Sequence, residues 1–314
     1  MIERIGVIGG GLMGQGIAAA FALGGKDVVV HEPEAAQRGS LLTRTAETLA
    51  PLVEEDVVSA DEAATALGRI RISEGLAGAA ADRQFIVEAI PERLELKQAL
   101  FAELDALAPA EAILASNTSS LPLELLMDKT GQPRRARMML SHWYNPALIM
   151  PIVELSFFGN MPGELYDAVA ELHGDIGKET VKVLKDVPGL VANRIQQGVA
   201  REVFSLIEQG IAAPEDVDRT LKFGPAFRYA TTGQLEVADF GGLDIWLTVG
   251  DNLLPDMDAS RRANDLLRRK VADGKLGVKT GEGFYSYDPA TVERRRRAFQ
   301  KRLIRQLRAS KAYR

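Results

Sequence analysis

Residues 4–32 read RIGVIGGGLMGQGIAAAFALGGKDVVVHE, and this stretch decides the fold. An apolar run from Ile5 to Ile8 stops at three glycines and is followed by small residues, which indicates a strand, a tight turn and a helix. Gly9, Gly11 and Gly14 fit the spacing G-x-G-x-x-G. The first glycine permits the turn, the second lets a pyrophosphate approach the backbone, and the third lets the helix pack closely on the strand.

The segments on either side of the glycines favour a dinucleotide over an ordinary glycine turn. N–H groups at the helix start, where Leu12 and Met13 lie, would bind phosphates. A second β-rich run, Val28 to Val30, leads to Glu32, 18 residues after Gly14. A carboxylate at that position would accept hydrogen bonds from the adenosine ribose hydroxyls and repel a 2′-phosphate, so the sequence predicts NAD rather than NADP.

Composition narrows the class of protein. The chain has 314 residues, 46% hydrophobic and 26% charged, with a net charge of −5, which suits one or two globular domains. No apolar run approaches the roughly 20 residues that span a bilayer, and the first strand leaves little room for a signal peptide. There is no cysteine, and the histidines are scattered at 31, 142 and 173. We therefore expect a cytoplasmic protein without disulfides and without a metal site.

The order of elements predicts an α/β domain followed by a helical one. Strands alternate with helices to about residue 184, which is typical of a Rossmann-type, doubly wound, mostly parallel sheet. From residue 189 the pattern is helical, with candidate helices at 190–209, 214–222, 234–254 and 260–273. The predicted regions are an NAD-binding domain at 1–185, an all-helical substrate and dimerisation domain at 186–290, and a basic tail at 291–314.

Three polar side chains stand at or near the ends of successive predicted strands: Ser119, His142 and Glu154. The carboxyl ends of strands in such sheets form the ligand site, so these side chains should converge beside the nicotinamide. Removing hydride from a secondary alcohol leaves a hydroxyl proton, and a neutral imidazole is its natural acceptor. A carboxylate bonded to the other ring nitrogen would fix the tautomer and stabilise the imidazolium.

The chain resembles the 3-hydroxyacyl-CoA dehydrogenase family from Gly9 to about Asp288. Six stretches in order carry the resemblance: VIGGGLMGQGIA at 7–18, VEAIPERLELK at 87–97, ASNTSSL at 115–121, SHWYNPALIMPIVEL at 141–155, DVPGLVANRI at 186–195 and KLGVKTGEGFY at 275–285. The resemblance implies that His142 is the general base and Glu154 its partner, and that Ser119 and Asn193 bind the substrate oxygen. It also implies dinucleotide contacts from Glu32, Glu92, Lys97, Asn117 and Lys279, and a homodimer formed through the helical domain.

Each of these residues also has an ordinary structural interpretation. His142 could be a satisfied structural histidine, Glu154 and Asn193 could be solvated, and Ser119 could cap the next helix. Lys97 has Arg93 and Phe101 four residues away, so no i,i+4 ion pair accounts for it, which favours a functional lysine. His173, on a predicted surface helix, is expected to be solvated.

Two departures from the family pattern concern the substrate. Trp143-Tyr144 replaces the usual pair of phenylalanines, so we expect a reshaped pocket beside the base. Residues 54–62 contain five acids and no base, whereas family members that bind CoA usually carry lysines there for its phosphates. Arg44, Arg69 and Arg71 could compensate.

The first functional prediction is oxidation of a (S)-3-hydroxyacyl-CoA with NAD, a reaction of fatty acid metabolism. The alternative is a small free hydroxy acid or alcohol, since carnitine and gulonate dehydrogenases share the scaffold. A second alternative is a nucleotide-binding protein without turnover, like the lens crystallins of the superfamily. The combination of Ser119, His142, Glu154 and Asn193 argues for an enzyme.

The C-terminal segment is strongly basic. Residues 291–314 hold ten Lys or Arg against Glu293, a local charge of +9, which leaves −14 for the rest of the chain. A solvated helical extension is the first expectation and docking on an acidic partner subunit is the second. Nucleic-acid binding is not expected, because only Phe299 and Tyr313 supply aromatic rings.

Overall fold

The computed structural model describes residues 1–313. The chain divides into two compact units. The first contains residues 1–191 together with 300–307, and the second contains residues 192–299 together with the end of the chain from 308. The last long helix therefore contributes to both units.

The first unit is built on one eight-stranded sheet with the order β3-β2-β1-β4-β5-β6-β7-β8. The strands are β1 (Arg4–Ile8), β2 (Asp27–His31), β3 (Ile70–Ser73), β4 (Phe85–Glu88), β5 (Ile113–Ser116), β6 (Met138–Trp143), β7 (Ile152–Ser156) and β8 (Glu179–Val183). All neighbours are parallel except β6 and β7, which are antiparallel. β1 lies inside the sheet between β2 and β4, and its residues 5–8 are buried, as a sheet covered on both sides requires.

Helices cover both faces of this sheet. They are α1 (Leu12–Leu23), α2 (Ala35–Glu54), α3 (Ala60–Gly68), α4 (Leu94–Leu107), α5 (Leu123–Leu126), α6 (Gln132–Arg135) and α7 (Gly163–Asp175). One apolar core includes residues of α1, α2 and α7, and the other includes residues of α4 and α5. The predicted Rossmann-type α/β fold is confirmed.

The second unit is helical, as predicted. Its helices are α8 (Ala192–Glu208), α9 (Pro214–Phe223), α10 (Pro225–Tyr229), α11 (Gln234–Gly241), α12 (Leu243–Leu253), α13 (Asp265–Ala272) and part of α14 (Pro289–Ser310). The single helix expected over 234–254 is wrong, because Gly242 has φ +91°, a left-handed conformation that ends one helix and redirects the next. The helix expected from residue 260 begins only at Asp265, where the Asn264 side chain caps it.

Residues 300–307 of α14 pack on the first unit. Ile304 is fully buried in the apolar core that contains α1 and α2, and Leu303 and Leu307 pack against that core. Lys301 Nζ lies 3.1 Å from Glu54 Oε2, and Arg305 Nε lies 3.0 Å from Glu55 Oε2. The basic helix thus meets the acidic end of α2 in its own chain.

His173 is buried, so its expected exposure is wrong. It shares one face of α7 with Tyr166, Val169 and Leu172, all of which are buried. Its Nδ1 bonds the Val169 carbonyl oxygen at 2.7 Å, and its Nε2 lies 3.2 Å from Ser141 Oγ. Burial lowers its pKa from 6.5 to about 4. Among residues 1–313, no helix is both long enough and apolar enough to cross a bilayer.

Candidate active site

The glycine turn after β1 has the geometry that the motif predicts. Gly9 has φ +103°, which only glycine adopts readily. A Cβ on Gly14 would lie 1.8 Å from the Gly9 carbonyl oxygen, so α1 can approach the turn only with glycine there. A Cβ on Gly11 would meet nothing within 4 Å, so this side of the turn is open.

The start of α1 fits a pyrophosphate. Gly11 is the N-cap residue, and no side chain caps the helix. The first turn contains Leu12, which is exposed, and Met13, which is half-buried. Backbone N–H groups at an uncapped helix start carry partial positive charge and favour an anion. Gly11, Leu12 and Met13 therefore fit the phosphates of NAD.

Glu32 lies just after β2, and its carboxylate binds the glycine turn. Its Oε2 accepts a hydrogen bond from Gly10 N at 2.8 Å, and its Oε1 accepts one from Glu34 N at 3.0 Å. A carboxylate has about four lone-pair sites, so two N–H bonds leave capacity for two ribose hydroxyls. The contact with Gly10 was not predicted. The Glu32 carboxylate, which is expected to bind the ribose hydroxyls, therefore also stabilises the glycine turn.

Arg44 of α2 also stabilises the glycine turn, whereas the sequence suggested that it could compensate for the missing CoA-binding lysines. Its guanidinium donates to the Gly10 carbonyl oxygen at 3.1 and 3.2 Å, to Gln15 Oε1 at 2.9 Å and to the Gln37 carbonyl oxygen at 3.0 Å. Arg44 thus ties Gly10 of the turn and Gln15 of α1 to α2, which fixes the shape of the turn.

Glu88, at the end of β4, forms a buried ion pair with Lys97 of α4. Lys97 Nζ lies 2.7 Å from Glu88 Oε1 and 3.1 Å from Glu92 Oε2, and Lys97 is only 1% exposed. Lys97 is paired with Glu88 at the end of β4 and with Glu92 in the loop that follows. The lack of an acidic residue four positions away on α4 therefore does not mean that the lysine is unpaired. The dinucleotide contacts proposed for Lys97 and Glu92 stay predictions.

Glu92 also organises the loop after β5. Its Oε1 accepts hydrogen bonds from Thr118 Oγ1, from Ser120 Oγ at 2.9 Å and from Ser119 N at 3.3 Å. Burial would raise the pKa of Glu92, but the hydrogen bonds from Thr118, Lys97 and Ser120 and the charge of Lys97 outweigh burial and lower it. Ser119 does not cap the next helix, because Pro122 is the N-cap residue of α5 and no side chain caps it.

Asn117, at the end of β5, connects two strands at the site. Its Oδ1 accepts a hydrogen bond from Trp143 N at 2.8 Å, and its own N–H donates to the Glu88 carbonyl oxygen at 3.0 Å. The side chain therefore holds the end of β6, immediately after His142. Its predicted contact with the dinucleotide stays a prediction.

The structure brings His142 and Glu154 together. They are directly opposed in the β6–β7 register, and His142 Nδ1 lies 2.8 Å from Glu154 Oε2. Glu154 is fully buried, and its Oε1 accepts a hydrogen bond from Val191 N at 2.8 Å. A carboxylate beside Nδ1 accepts a hydrogen bond from that nitrogen and so fixes the imidazole with Nδ1 as the donor. Nε2 is then the nitrogen available to take a proton.

Of the Trp143-Tyr144 pair, only Tyr144 contacts the base. Side chains alternate along β6, so Trp143 lies on the face opposite His142, 5.4 Å from the Phe21 ring and 5.3 Å from the His173 ring between ring centres. Tyr144 follows the strand, and its ring centre lies 4.8 Å from that of His142. Tyr144 Oη donates to Glu154 Oε2 at 3.2 Å. Of the two residues that replace the usual phenylalanines, only Tyr144 therefore alters the surroundings of His142.

Two predicted site residues belong to the second unit. Asn193 lies in the first turn of α8, and Lys279 lies in a turn between two bridged residues, Gly277 and Glu282. Their roles, substrate contact for Asn193 and dinucleotide contact for Lys279, stay predictions.

A glycine turn shaped for a pyrophosphate and a buried His–Glu pair on one Rossmann-type sheet define the site of a nicotinamide-dependent dehydrogenase. Comparison with known families gives the same class. The NAD-binding domain of 3-hydroxyacyl-CoA dehydrogenase matches residues 4–187, and the C-terminal domain of the same enzyme matches residues 189–287. The chain belongs to the 3-hydroxyacyl-CoA dehydrogenase family, and it is an NAD-dependent oxidoreductase.

Individual relatives differ in their substrates. A probable 3-hydroxybutyryl-CoA dehydrogenase of Deinococcus radiodurans is 37% identical over 90% of this chain and 100% of its own length. A 5-formyl-3-hydroxy-2-methylpyridine 4-carboxylate 5-dehydrogenase of Mesorhizobium japonicum is 31% identical over 92% of each chain. A crystal structure of an enzyme with that pyridine carboxylate activity, described as an NAD⁺-dependent dismutase, is 28% identical, covers 100% of both chains and has a TM-score of 0.90.

Proposed function

We propose that the chain oxidises the CH–OH group of a small free carboxylic acid, as an alcohol or a hydrated aldehyde, and does not act on a CoA thioester. The observation that carries the proposal is the contact between the acidic end of α2 and the basic helix α14. It occupies the region in which the family resemblance leads us to expect cations for the CoA phosphates.

The local charge disfavours a polyanion. Residues 54–62 contain five acids and no base. Lys301 forms ion pairs with Glu54 and Glu55, and Arg305 forms one with Glu55, so the charges of both cations are already paired. A nucleotide phosphate would have to compete with Glu54 and Glu55 for Lys301 and with Glu55 for Arg305, which costs Coulomb energy.

Three arginines that could have replaced the missing CoA-binding lysines have other partners: Arg44, Arg69 and Arg71. Arg44 binds the glycine turn, and Arg71 donates to both oxygens of Asp27 at 3.1 and 3.0 Å. Arg69 bonds the Ala22 carbonyl oxygen at 3.4 Å. These contacts direct the guanidinium groups toward β2 and α1, which supports a site without CoA.

The similarity to the pyridine carboxylate enzyme includes α14. The family's C-terminal domain matches this chain only to residue 287, before α14 begins. The crystal structure of the pyridine carboxylate enzyme covers the whole chain, α14 included. A 3-hydroxyacyl-CoA dehydrogenase structure also covers 98% of this chain, so the proposal depends on the charge around α2 and not on the presence of α14.

The residues of the site suit the proposed chemistry. NAD, held at the glycine turn, would supply the acceptor for the hydride that leaves the substrate carbon. His142 Nε2 takes the hydroxyl proton, and Glu154 stabilises the imidazolium that results. Ser119 and Asn193 are proposed to bind the reacting oxygen. The imidazole returns its proton to water after the oxidised product leaves.

A second candidate is the (S)-3-hydroxyacyl-CoA dehydrogenase activity that the sequence first predicts. It is favoured by the 37% identity to a relative named for 3-hydroxybutyryl-CoA. The exposed arginines at 294–297 on α14 could then replace the missing lysines. In that case the basic helix would attract the phosphates as well as neutralise α2.

A substrate panel separates the candidates. NADH formation is followed at mildly alkaline pH with 3-hydroxybutyryl-CoA and, separately, with 3-hydroxybutyrate, gulonate, carnitine and 5-formyl-3-hydroxy-2-methylpyridine 4-carboxylate. We expect turnover of at least one free acid and none of the thioester. Turnover of the thioester alone contradicts the proposal and supports the second candidate. Absence of turnover with every free acid in the panel would also contradict the proposal.

We also propose that the protein is a homodimer formed through the second unit. Leu235 and Phe240 are each 83% exposed, and Phe223 is 75% exposed. Large apolar side chains at such exposure mark an interface. Light scattering at low micromolar concentration should give twice the chain mass, and Phe240→Glu should lower it. A wild-type mass of one chain contradicts this proposal.

A further inference from the structure

Tyr144 and His142 share one carboxylate oxygen. Glu154 Oε2 accepts a hydrogen bond from His142 Nδ1 at 2.8 Å and from Tyr144 Oη at 3.2 Å. The tyrosine and histidine rings meet edge to face, with ring planes at 61°. The phenol is therefore the second donor to the oxygen that orients the base.

We propose that Tyr144 is a positioning residue that weakens the basicity of His142 by acting through Glu154. The inference rests on the proposed role of His142 as the base. A carboxylate oxygen that already accepts a phenol hydrogen bond carries less charge toward the imidazole. The imidazolium form of His142 is then stabilised less than it would be beside a bare carboxylate.

The charged groups on the opposite face of the sheet, which carries Trp143, have partners of their own. Lys178 Nζ donates to the Ala147 and Met150 carbonyl oxygens at 2.8 Å each. Lys182 Nζ lies over the Phe157 and Tyr166 rings, 4.1 and 4.3 Å from their centres. His173 bonds Ser141 on the far face of β6. On the face that carries His142, Tyr144 Oη donates directly to the carboxylate of the His142–Glu154 pair.

This arrangement extends the working pH range of the oxidation. Only the neutral imidazole can accept the substrate proton, and protonation of His142 at lower pH blocks the step. A weaker base stays neutral to lower pH. Tyr144 therefore lets the enzyme oxidise its substrate nearer to neutral pH than the phenylalanine that the family pattern places here.

The test needs no substrate. The chain has three histidines, so ¹⁵N-histidine NMR of the full-length protein resolves the His142 ring, which is identified by the signals lost in His142→Gln. Tyr144→Phe removes the phenol donor. Because the Glu154 oxygen then carries more charge toward the imidazole, the titration midpoint of His142 should rise by at least about 0.4 pH units. The acid limb of kcat/KM should move in the same direction.

Two further variants make the result decisive. Tyr166→Phe removes a phenol elsewhere in the first unit and should leave the midpoint unchanged. Replacement of Tyr144 by 3-fluorotyrosine gives a stronger donor of nearly the same shape and should lower the midpoint. An unchanged or lower midpoint in Tyr144→Phe, within about 0.2 units, overturns the inference. The proposed role of His142 is tested separately by the turnover of His142→Gln.

Discussion

Lys301 of α14 lies 3.1 Å from Glu54 at the end of α2, so the most basic segment of the chain neutralises its most acidic one. One turn further along, Arg305 binds Glu55, and this contact lowers the pKa of Glu55. Between these cations, Ile304 enters the core. The helix is therefore held by an apolar anchor flanked by ion pairs, and exposed pairs alone would stabilise it little.

The anchor predicts the stability of the docked helix. Ile304→Ala should lower the free energy of unfolding by about 2–4 kcal/mol, because it leaves a cavity in a closed core. Urea denaturation monitored by circular dichroism measures the change. Phe299→Ala, on the same helix but half-exposed, is the control and should cost less than about 1 kcal/mol. Equal effects for the two variants would mean that the helix is not anchored at Ile304.

The burial of His173 predicts that the free energy of unfolding falls at acidic pH. Burial lowers its pKa from 6.5 to about 4, and the charge of Lys178 acts in the same direction. Between these values the unfolded chain binds a proton that the folded one does not, so stability falls as the pH drops from about 6.5 to about 4. The loss attributable to His173 should be about 2 kcal/mol between about pH 7 and about pH 5.

Urea denaturation at those two pH values checks the His173 account. His173→Gln cannot take up the proton and should show a smaller pH dependence than the wild type. His31→Gln, which changes a half-exposed ring, should keep the wild-type dependence. An identical pH dependence in His173→Gln and the wild type would remove His173 as the source.

Glu32 predicts the cofactor preference. Glu32→Ala removes the carboxylate that would bind the ribose hydroxyls and repel a 2′-phosphate, so KM for NAD should rise by roughly tenfold and the preference for NAD over NADP should fall. Steady-state kinetics with both cofactors measure the ratio. Glu34→Ala removes a neighbouring, exposed acid and should leave the ratio intact. A wild-type ratio in Glu32→Ala would exclude the assignment.

The elements that local patterns determine could be predicted from the sequence. The glycine turn and the apolar strands follow from spacing and alternation along short segments, and the family resemblance implies the pairing of His142 with Glu154. The contacts that could not be predicted join distant segments. Lys97 finds Glu88 across a strand end, Glu32 binds back to Gly10, and α14 returns to α2. No local periodicity encodes such pairings, because they depend on how the sheet places its strand ends.

His173 shows the same limit on a single helix. A single polar residue in an apolar stripe suggests a position at the edge of the buried face of the helix. Only the packing of α7 on β6 brings Ser141 within 3.2 Å of the His173 ring. Tyr144 is visible in the sequence as a departure from the family pattern. Its hydrogen bond to Glu154 depends on the turn after β6.

The most direct test of the central claim is the rate of hydride transfer in His142→Gln. Glutamine keeps a polar side chain but cannot accept the substrate proton, so turnover of the best substrate in the panel should fall by about 10²–10⁴-fold. NADH affinity, measured by fluorescence titration, should stay within about twofold, because the glycine turn is untouched. Turnover within about tenfold of the wild type, with the cofactor bound normally, would contradict the assignment of His142 as the base.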